Sequence, residues 1–319
     1  MMRFVFSALL LSCTLATAAA DESRAIVATR TDQGIRFAEQ GGDGILFYQR
    51  VAKSQEGKFA RANYLHPLYD LDGAVLTEDF PADHLHQRGV YWAWHQLRVN
   101  GKNAGDGWAL KGLRWQVEEA QIEPDDGHSA SLRLRVTWLS ELLADKAGES
   151  LPVVEETTTI RVYRQENDAR RIDFEIGLRA LHPQVEIGGS EDPKGYSGFS
   201  VRARLPQEVQ FVGVEGPVEP EKTALEAGPV IDLSARFDKA TSGVAILQHP
   251  SLPKYPQTWI LRRQKSMQNP VYPGRNAVVL PTDAPQVLRY RLVVHRGAGE
   301  PQLLRKWQAD YAADQAVSP

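Results

Sequence analysis

Apolar and polar residues alternate one for one along Ser131-Leu-Arg-Leu-Arg-Val-Thr-Trp138, and a period of two fits a β-strand with one buried face. The pattern recurs in Thr157-Thr-Thr-Ile-Arg-Val-Tyr163 and Arg171-Ile-Asp-Phe-Glu-Ile-Gly-Leu178, with a turn-like Gln165-Glu-Asn-Asp168 between them. Shorter runs follow at Val244-Ala-Ile-Leu247 and Ala277-Val-Val-Leu280, then a long one at Val287-Leu-Arg-Tyr-Arg-Leu-Val-Val294. Gly, Pro, Asn and Asp punctuate these runs at short intervals, which favours an antiparallel sandwich over alternating β–α units. Only the tail reads as a helix: Leu303, Leu304, Trp307 and Tyr311 recur at three- and four-residue spacing after Pro301. Val214 to Pro229, rich in Glu, Pro and Gly, reads as a long loop or a crossing between sheets. The expected fold is all-β, a large antiparallel β-sandwich with a short C-terminal helix, forming one domain over residues 21–319.

Residues 1–20 stand outside this pattern. Arg3 gives a positive start, Phe4 to Leu11 an apolar run too short to span a bilayer, and Ala18-Ala19-Ala20 a small-residue cleavage site. The expectation is export to the periplasm or the extracellular space after cleavage at Ala20. An alternative reading takes Leu10-Leu11-Ser12-Cys13 as a lipoprotein box with a lipidated cysteine. Cys13 is the only cysteine, so the chain cut after Ala20 has no disulfide, no thiolate nucleophile and no Cys-based metal site. Losing Arg3 takes the 37 basic residues to 36, against 40 acidic ones. That balance is too even for a nucleic-acid or anionic-membrane surface. No second apolar run approaches membrane-spanning length.

Four of the eight histidines fall between His66 and His95. In His84-Leu-His86 the imidazoles are two positions apart, so an extended backbone projects both from one face. That spacing suits two ligands of one divalent metal, with Asp83, His66 or His95 nearby, and equally suits an acid/base histidine oriented by a neighbour. A purely structural pair is the third option. Arg88 shares the extended face, where its guanidinium would fork onto a carboxylate or hold hydroxyls, or else pair with Asp79 or Asp83. Trp92 and Trp94 share one strand face and Tyr91 and His95 the other, with Trp108 and Trp115 close behind. Indoles there serve as platforms for sugar rings or as core. A second polar stretch, from His249-Pro250 through Trp259, Arg262 and Arg263 to Asn269-Pro270, reads as a binding loop or as a long edge connection. Asp192-Pro-Lys-Gly-Tyr196-Ser-Gly-Phe199 is Gly-rich without a nucleotide signature, and no Gly-x-Ser-x-Gly elbow is present.

Several motifs occur in order: His66-Pro-Leu, Leu76-Thr, Asp79-Phe-Pro-Ala-Asp83-His84-x-His86-x-Arg88-Gly89, Lys194-Gly-Tyr-Ser-Gly-Phe-Ser-Val-Arg202, Gly243-Val-Ala-Ile-x-x-His249-Pro250, Trp259-x-x-Arg262, Asn269-Pro270 and Arg289-Tyr-Arg-Leu-Val-Val-His295-Arg-Gly297. Together they resemble, from about His66 to Gly297, the secreted bacterial family labelled "methane oxygenase PmoA". The membrane-bound methane monooxygenase subunit itself is a multi-helix protein, and nothing in this chain matches that build. Many members of the resembled family have no assigned function, and they tend to accompany sugar-degrading enzymes and sugar oxidoreductases. The resemblance therefore implies carbohydrate metabolism and a galactose-mutarotase-like supersandwich. The chain departs from the family at Gln87, where a histidine is usual, and at Val271, where an aromatic residue is usual.

These readings lead to an expected carbohydrate-processing enzyme of epimerase, lyase or hydrolase type. His84, His86 and Asp83 are its candidate catalytic group, and His66, Arg88, Trp94, His249, Arg262 and Asn269 its candidate substrate-binding group. No cofactor is assigned; a divalent metal, if bound, would sit on His84 and His86. The expected partner is a carbohydrate ligand, with no nucleic acid and no membrane insertion. The alternatives are a non-catalytic glycan-binding protein and a metal-dependent oxidative enzyme.

Overall fold

The computed structural model describes residues 25–124 and 127–314; the expected export segment, its cleavage point and Cys13 lie outside the described residues. The period-two segments become the middle of a nine-stranded antiparallel sheet. Its order is Leu113–Pro124, Ser129–Ala144, Ser150–Tyr163, Ala169–Ala180, Gln286–Arg296, Ala240–Gln248, Val230–Phe237, Gln210–Gly213 and Gly216–Pro217. Leu132, Leu134, Val136 and Trp138 are buried on one face while Arg133 is exposed on the other. The register carries the same logic outward, with Arg291 opposite Asp173 at 2.5 Å and Arg289 opposite Glu175 at 2.7 Å. Opposite charges across neighbouring strands support the pairing on the outer face.

A six-stranded sheet lies against the apolar face, in the order Ile26–Arg30, Gly34–Glu39, Gly44–Gln49, Tyr64–Leu68, Val90–Trp94 and Ser197–Val201. Contacts between the two sheets are largely aromatic. Phe199 stacks on Tyr290 at 4.7 Å and meets Phe174 edge-on at 5.0 Å, while Trp94 lies 5.4 Å from Trp138. One continuous apolar core joins the inner faces of both sheets, the arrangement of a β-sandwich. The large sandwich with its C-terminal helix is thus what forms.

The helix, Pro301–Ala313, packs on the outer face of the larger sheet through Leu304 and Tyr311 against Val212, Val230, Leu247 and Val293. Of the residues expected on its apolar face, Leu303 is exposed. Its place is taken by Gln308, which donates to the Gln248 carbonyl at 2.9 Å and the Tyr255 hydroxyl at 3.1 Å. The stretch from Val214 to Pro229 is irregular apart from the short Gly216–Pro217 pairing and a bridge from Leu225 to Trp259.

The outer face of the smaller sheet is also apolar. Tyr64, Tyr91 and Ala93 pack there with Trp108, Ile260, Met267 and Val271. A short hairpin, Trp259–Ile260 with Asn269–Pro270, crosses this face. Beside it runs a four-stranded sheet of Val278–Val279, Val185–Gly188, Gln96–Val99 and Lys102–Gly105.

Candidate functional site

The segment carrying His84 and His86 links Tyr64–Leu68 to Val90–Trp94, and it is turned rather than extended. The His84 amide donates to the Pro81 carbonyl at 3.0 Å, and the Gln87 amide donates to the His84 carbonyl at 2.9 Å. The expectation of a shared strand face therefore fails, but the rings still meet, edge to face, 5.6 Å apart. Gly89 ends the segment with φ +52°, and a Cβ there would lie 1.9 Å from the Leu65 carbonyl oxygen. Only glycine fits so close to the neighbouring backbone.

A buried arginine from the far end of the sheet holds the turns in place. Arg202 donates from Nε to Glu78 at 2.7 Å, from Nη1 to the Gln87 Oε1 at 2.7 Å, and from Nη2 to both Asp83 oxygens at 2.8 and 3.1 Å. Asp83 in turn lies 2.9 Å from His84 Nδ1. Burial alone would raise the Asp83 carboxyl; its hydrogen bonds from His84 and Arg202 outweigh that and lower it. A carboxylate accepts, so His84 Nδ1 is the donor in this pair.

A second such pair stands at the same cavity. His95 follows directly on Val90–Trp94, and its Nδ1 lies 3.0 Å from Asp106 Oδ2. Asn100-Gly101, both at positive φ, turn Gln96–Val99 back into Lys102–Gly105 with Leu97 opposite Gly105. That hairpin returns Asp106 to the side of His95. Trp108 then stacks between His95 at 5.4 Å and Tyr196 at 5.5 Å, over Tyr91.

His84, His86, Gln87, His95, Trp108, Ala109, Tyr196 and Ser266 enclose a cavity of about 220 Å³. His86 makes no hydrogen bond to another described residue. Burial, helped by the nearby His84, Arg61 and His95, pushes its pKa down to about 4, so the ring is neutral at physiological pH. Gln87 accepts from Arg202, which leaves its amide nitrogen as a donor on the cavity wall. No carboxylate is among the lining residues. Among the described residues no group of three or more His, Cys, Asp or Glu is placed to hold a metal ion; His84 and His86 form only a pair.

The remaining candidates are placed elsewhere. Arg88 is fully buried, with Nε on Asp79, Nη1 on the Lys53 and Phe59 carbonyls at 3.2 and 3.0 Å, and Nη2 on the Tyr64 hydroxyl at 2.6 Å. Its ring neighbour Phe80 lies 3.5 Å away. A guanidinium so fully engaged braces the fold and is not a ligand-binding group; of the two roles read from sequence, the ion pair to Asp79 is the one that forms. Trp94, 1% exposed, lies in the inter-sheet core with its indole nitrogen on the Tyr272 carbonyl at 2.9 Å. His66 sits 3.0 Å from the Thr77 hydroxyl, outside the cavity lining. His249 contacts Ser251 at 2.8 Å and packs edge-on against Tyr311 of the C-terminal helix.

Asn269 is fully buried and donates to the carbonyls of Ser197 at 2.9 Å and Phe199 at 2.7 Å, tying hairpin to sheet. Arg262 reaches the cavity only through Tyr196, whose hydroxyl it meets at 3.2 Å while its other donors take the Glu221 and Lys222 carbonyls. From the expected second wall, Ser266 is the residue that lines the cavity. His95 and Trp108 carry a ligand or platform reading in the sequence, whereas Asp106, Tyr196, Arg202 and Ser266 join the site only in the fold. The Asn100-Gly101 hairpin signal, visible in the sequence, was enough to pair His95 with Asp106.

The profile of a family described as being of unknown function, DUF6807, matches residues 38–308. No curated protein matches the chain. Among solved structures, the chain is similar to a GalM/aldose epimerase homologue from C. elegans, with 9% identity over 86% of this chain and 99% of that one, at a TM-score of 0.28.

Proposed function

The chain belongs to this family of unknown function, DUF6807, and we propose that the histidine cavity is the proton-transfer site of a periplasmic or extracellular enzyme acting on sugars. The observation that carries the reading is the cavity's make-up: three imidazoles, two of them held at Nδ1 by a carboxylate, beside a stacked Trp108–Tyr196 wall. A carboxylate on Nδ1 fixes the tautomer and stabilises the cation formed when Nε2 takes a proton. His84 and His95 are accordingly the acid/base pair. His86 and the Gln87 amide nitrogen act as neutral hydrogen-bonding groups. The aromatic wall offers a flat apolar surface to a sugar ring. The resemblance to a family found beside sugar-degrading enzymes supports the same substrate class.

Within the epimerase, lyase and hydrolase types, the lining favours the first two. Hydrolysis by the common route needs two carboxyl groups flanking the bond, and the cavity lining has none. Imidazole removes a carbon-bound proton only where a neighbouring carbonyl or carboxyl accepts the electron pair as an enolate, so the proposed substrate is a sugar carrying such a group, an oxidised sugar first of all. A proton delivered to the opposite face by the second histidine gives an epimer, and loss of a β-substituent, protonated by that histidine as it leaves with the enolate's electron pair closing the double bond, gives an unsaturated product. The stacked wall also favours a second reading, a glycan-binding protein without turnover.

The test is product formation from a panel of oxidised sugars and oligosaccharides by the wild type and by His84→Ala, His86→Ala and His95→Ala. Turnover by the wild type with a loss of about 100-fold or more in the His84 and His95 variants is expected. Equal turnover by all four proteins would remove the histidines from the chemistry, and binding without any turnover would leave the glycan-binding reading.

A further inference from the structure

Next to the histidine cavity lies a second, of about 460 Å³, lined by His95, Gln96, Arg98, Asn103, Ser190 and Glu191. His95 lines both cavities. The loop after Val185–Gly188 borders both as well, Ser190 facing the second and Tyr196 the first. That loop is a built feature. The Tyr196 amide donates to Ser190 Oγ at 3.0 Å, the Ser190 hydroxyl donates to Asp192 at 2.8 Å, and Gln96 donates to the Gly189 carbonyl at 2.6 Å.

The two cavities differ in chemistry. The first presents imidazoles and stacked rings. The second has no aromatic wall beyond His95 itself and offers Arg98 and Asn103, donors suited to hydroxyl and carboxylate groups, with the Glu191 carboxylate paired to Arg98. Arg98 makes a single ion pair, to the exposed Glu191 at 3.1 Å, which leaves most of its five donors available. At about 220 Å³ the first cavity is smaller than the roughly 300–1,000 Å³ of ordinary small-molecule sites, so a ligand of ordinary size reaches beyond it.

We infer that the two cavities are adjoining subsites for one saccharide of at least two units. The reacting unit lies against Trp108 and Tyr196, the linkage passes over His95, and the next unit is held by Arg98 and Asn103. This rests on the reading of the histidine cavity as a sugar site and adds the length of the ligand and the residues that select for it. Neither Arg98 nor Asn103 touches the reacting unit, so both are specificity residues and not catalytic ones.

The experiment is calorimetric titration of the wild type and of the Arg98→Ala, Asn103→Ala double variant with galacturonate and glucuronate and with their 1,4-linked dimers and trimers. The dimer is expected to bind the wild type at least ten-fold more tightly than the monomer. The double variant should lose that gain, binding dimer and monomer alike. Equal affinities for monomer and dimer on the wild type, or a gain that survives in the variant, would overturn the two-subsite inference while leaving the histidine site standing. Failure of every saccharide to bind would overturn the sugar reading and this inference with it.

Discussion

At the scale of single residues, His295 is a buried histidine paired with a buried carboxylate. Its Nε2 lies 2.7 Å from Asp232 Oδ1 and its Nδ1 lies 3.1 Å from the Arg296 carbonyl, so both ring nitrogens face acceptors. Burial alone would lower its pKa; the hydrogen bond and charge of Asp232 outweigh that and raise it. A raised pKa contributes stability that is fully present below the unfolded value of about 6.5 and is lost as pH rises through the folded value. Urea unfolding of His295→Gln from pH 5 to 9 should therefore show its largest deficit, about 3–5 kcal/mol, at the acidic end. The deficit should shrink above neutrality, and a constant deficit would contradict the ion pair. His66 and His86 act in the opposite sense. Burial lowers both to about 4, so their contribution is present above about 6.5 and is lost as pH falls through the folded value.

At the scale of elements, the strands were readable because a half-buried strand repeats every two residues. Ser131–Trp138 lies inside the observed Ser129–Ala144, and Val287–Val294 inside Gln286–Arg296. The site was only partly readable, because its decisive contacts join distant segments. Arg88 shows its structural role only once Lys53, Phe59, Tyr64 and Asp79 surround it. The grip of Arg202 on Asp83 spans 119 residues. Local chemistry was readable where a turn made it local, as at Asp83–His84, and was overlooked at the Asn100-Gly101 hairpin. The segment from Asp83 to Gly89 also yields a prediction. In Gly89→Ala the added methyl meets the Leu65 carbonyl and the residue keeps φ +52°, costing about 3 kcal/mol or more. Denaturant titration checks this, and a loss under 1 kcal/mol would mean the turn relaxes freely.

At the scale of the whole molecule, the sandwich core and the candidate site are separated by a sheet. Trp92 and Trp94 face inward to the nine-stranded sheet, while Tyr91 and Ala93 on the same strand face outward beneath Trp108. The strand that anchors the core thus also supports the floor of the site, and His95 leaves its end at the cavity. Sites carried by rigid elements hold catalytic geometry better than sites on free loops. Among the described residues no helix is long and apolar enough to cross a membrane. In the proposed reaction His84 and His95 move protons to and from a carbon of a bound oxidised sugar. The most direct measurement follows deuterium from D2O into that carbon by NMR, for the wild type and for His84→Gln and His95→Gln. The account predicts exchange at one carbon-bound position with the wild type and a slowing of about 100-fold or more in each variant. Exchange at the wild-type rate in both variants, or none by the wild type with a sugar it binds, would contradict it.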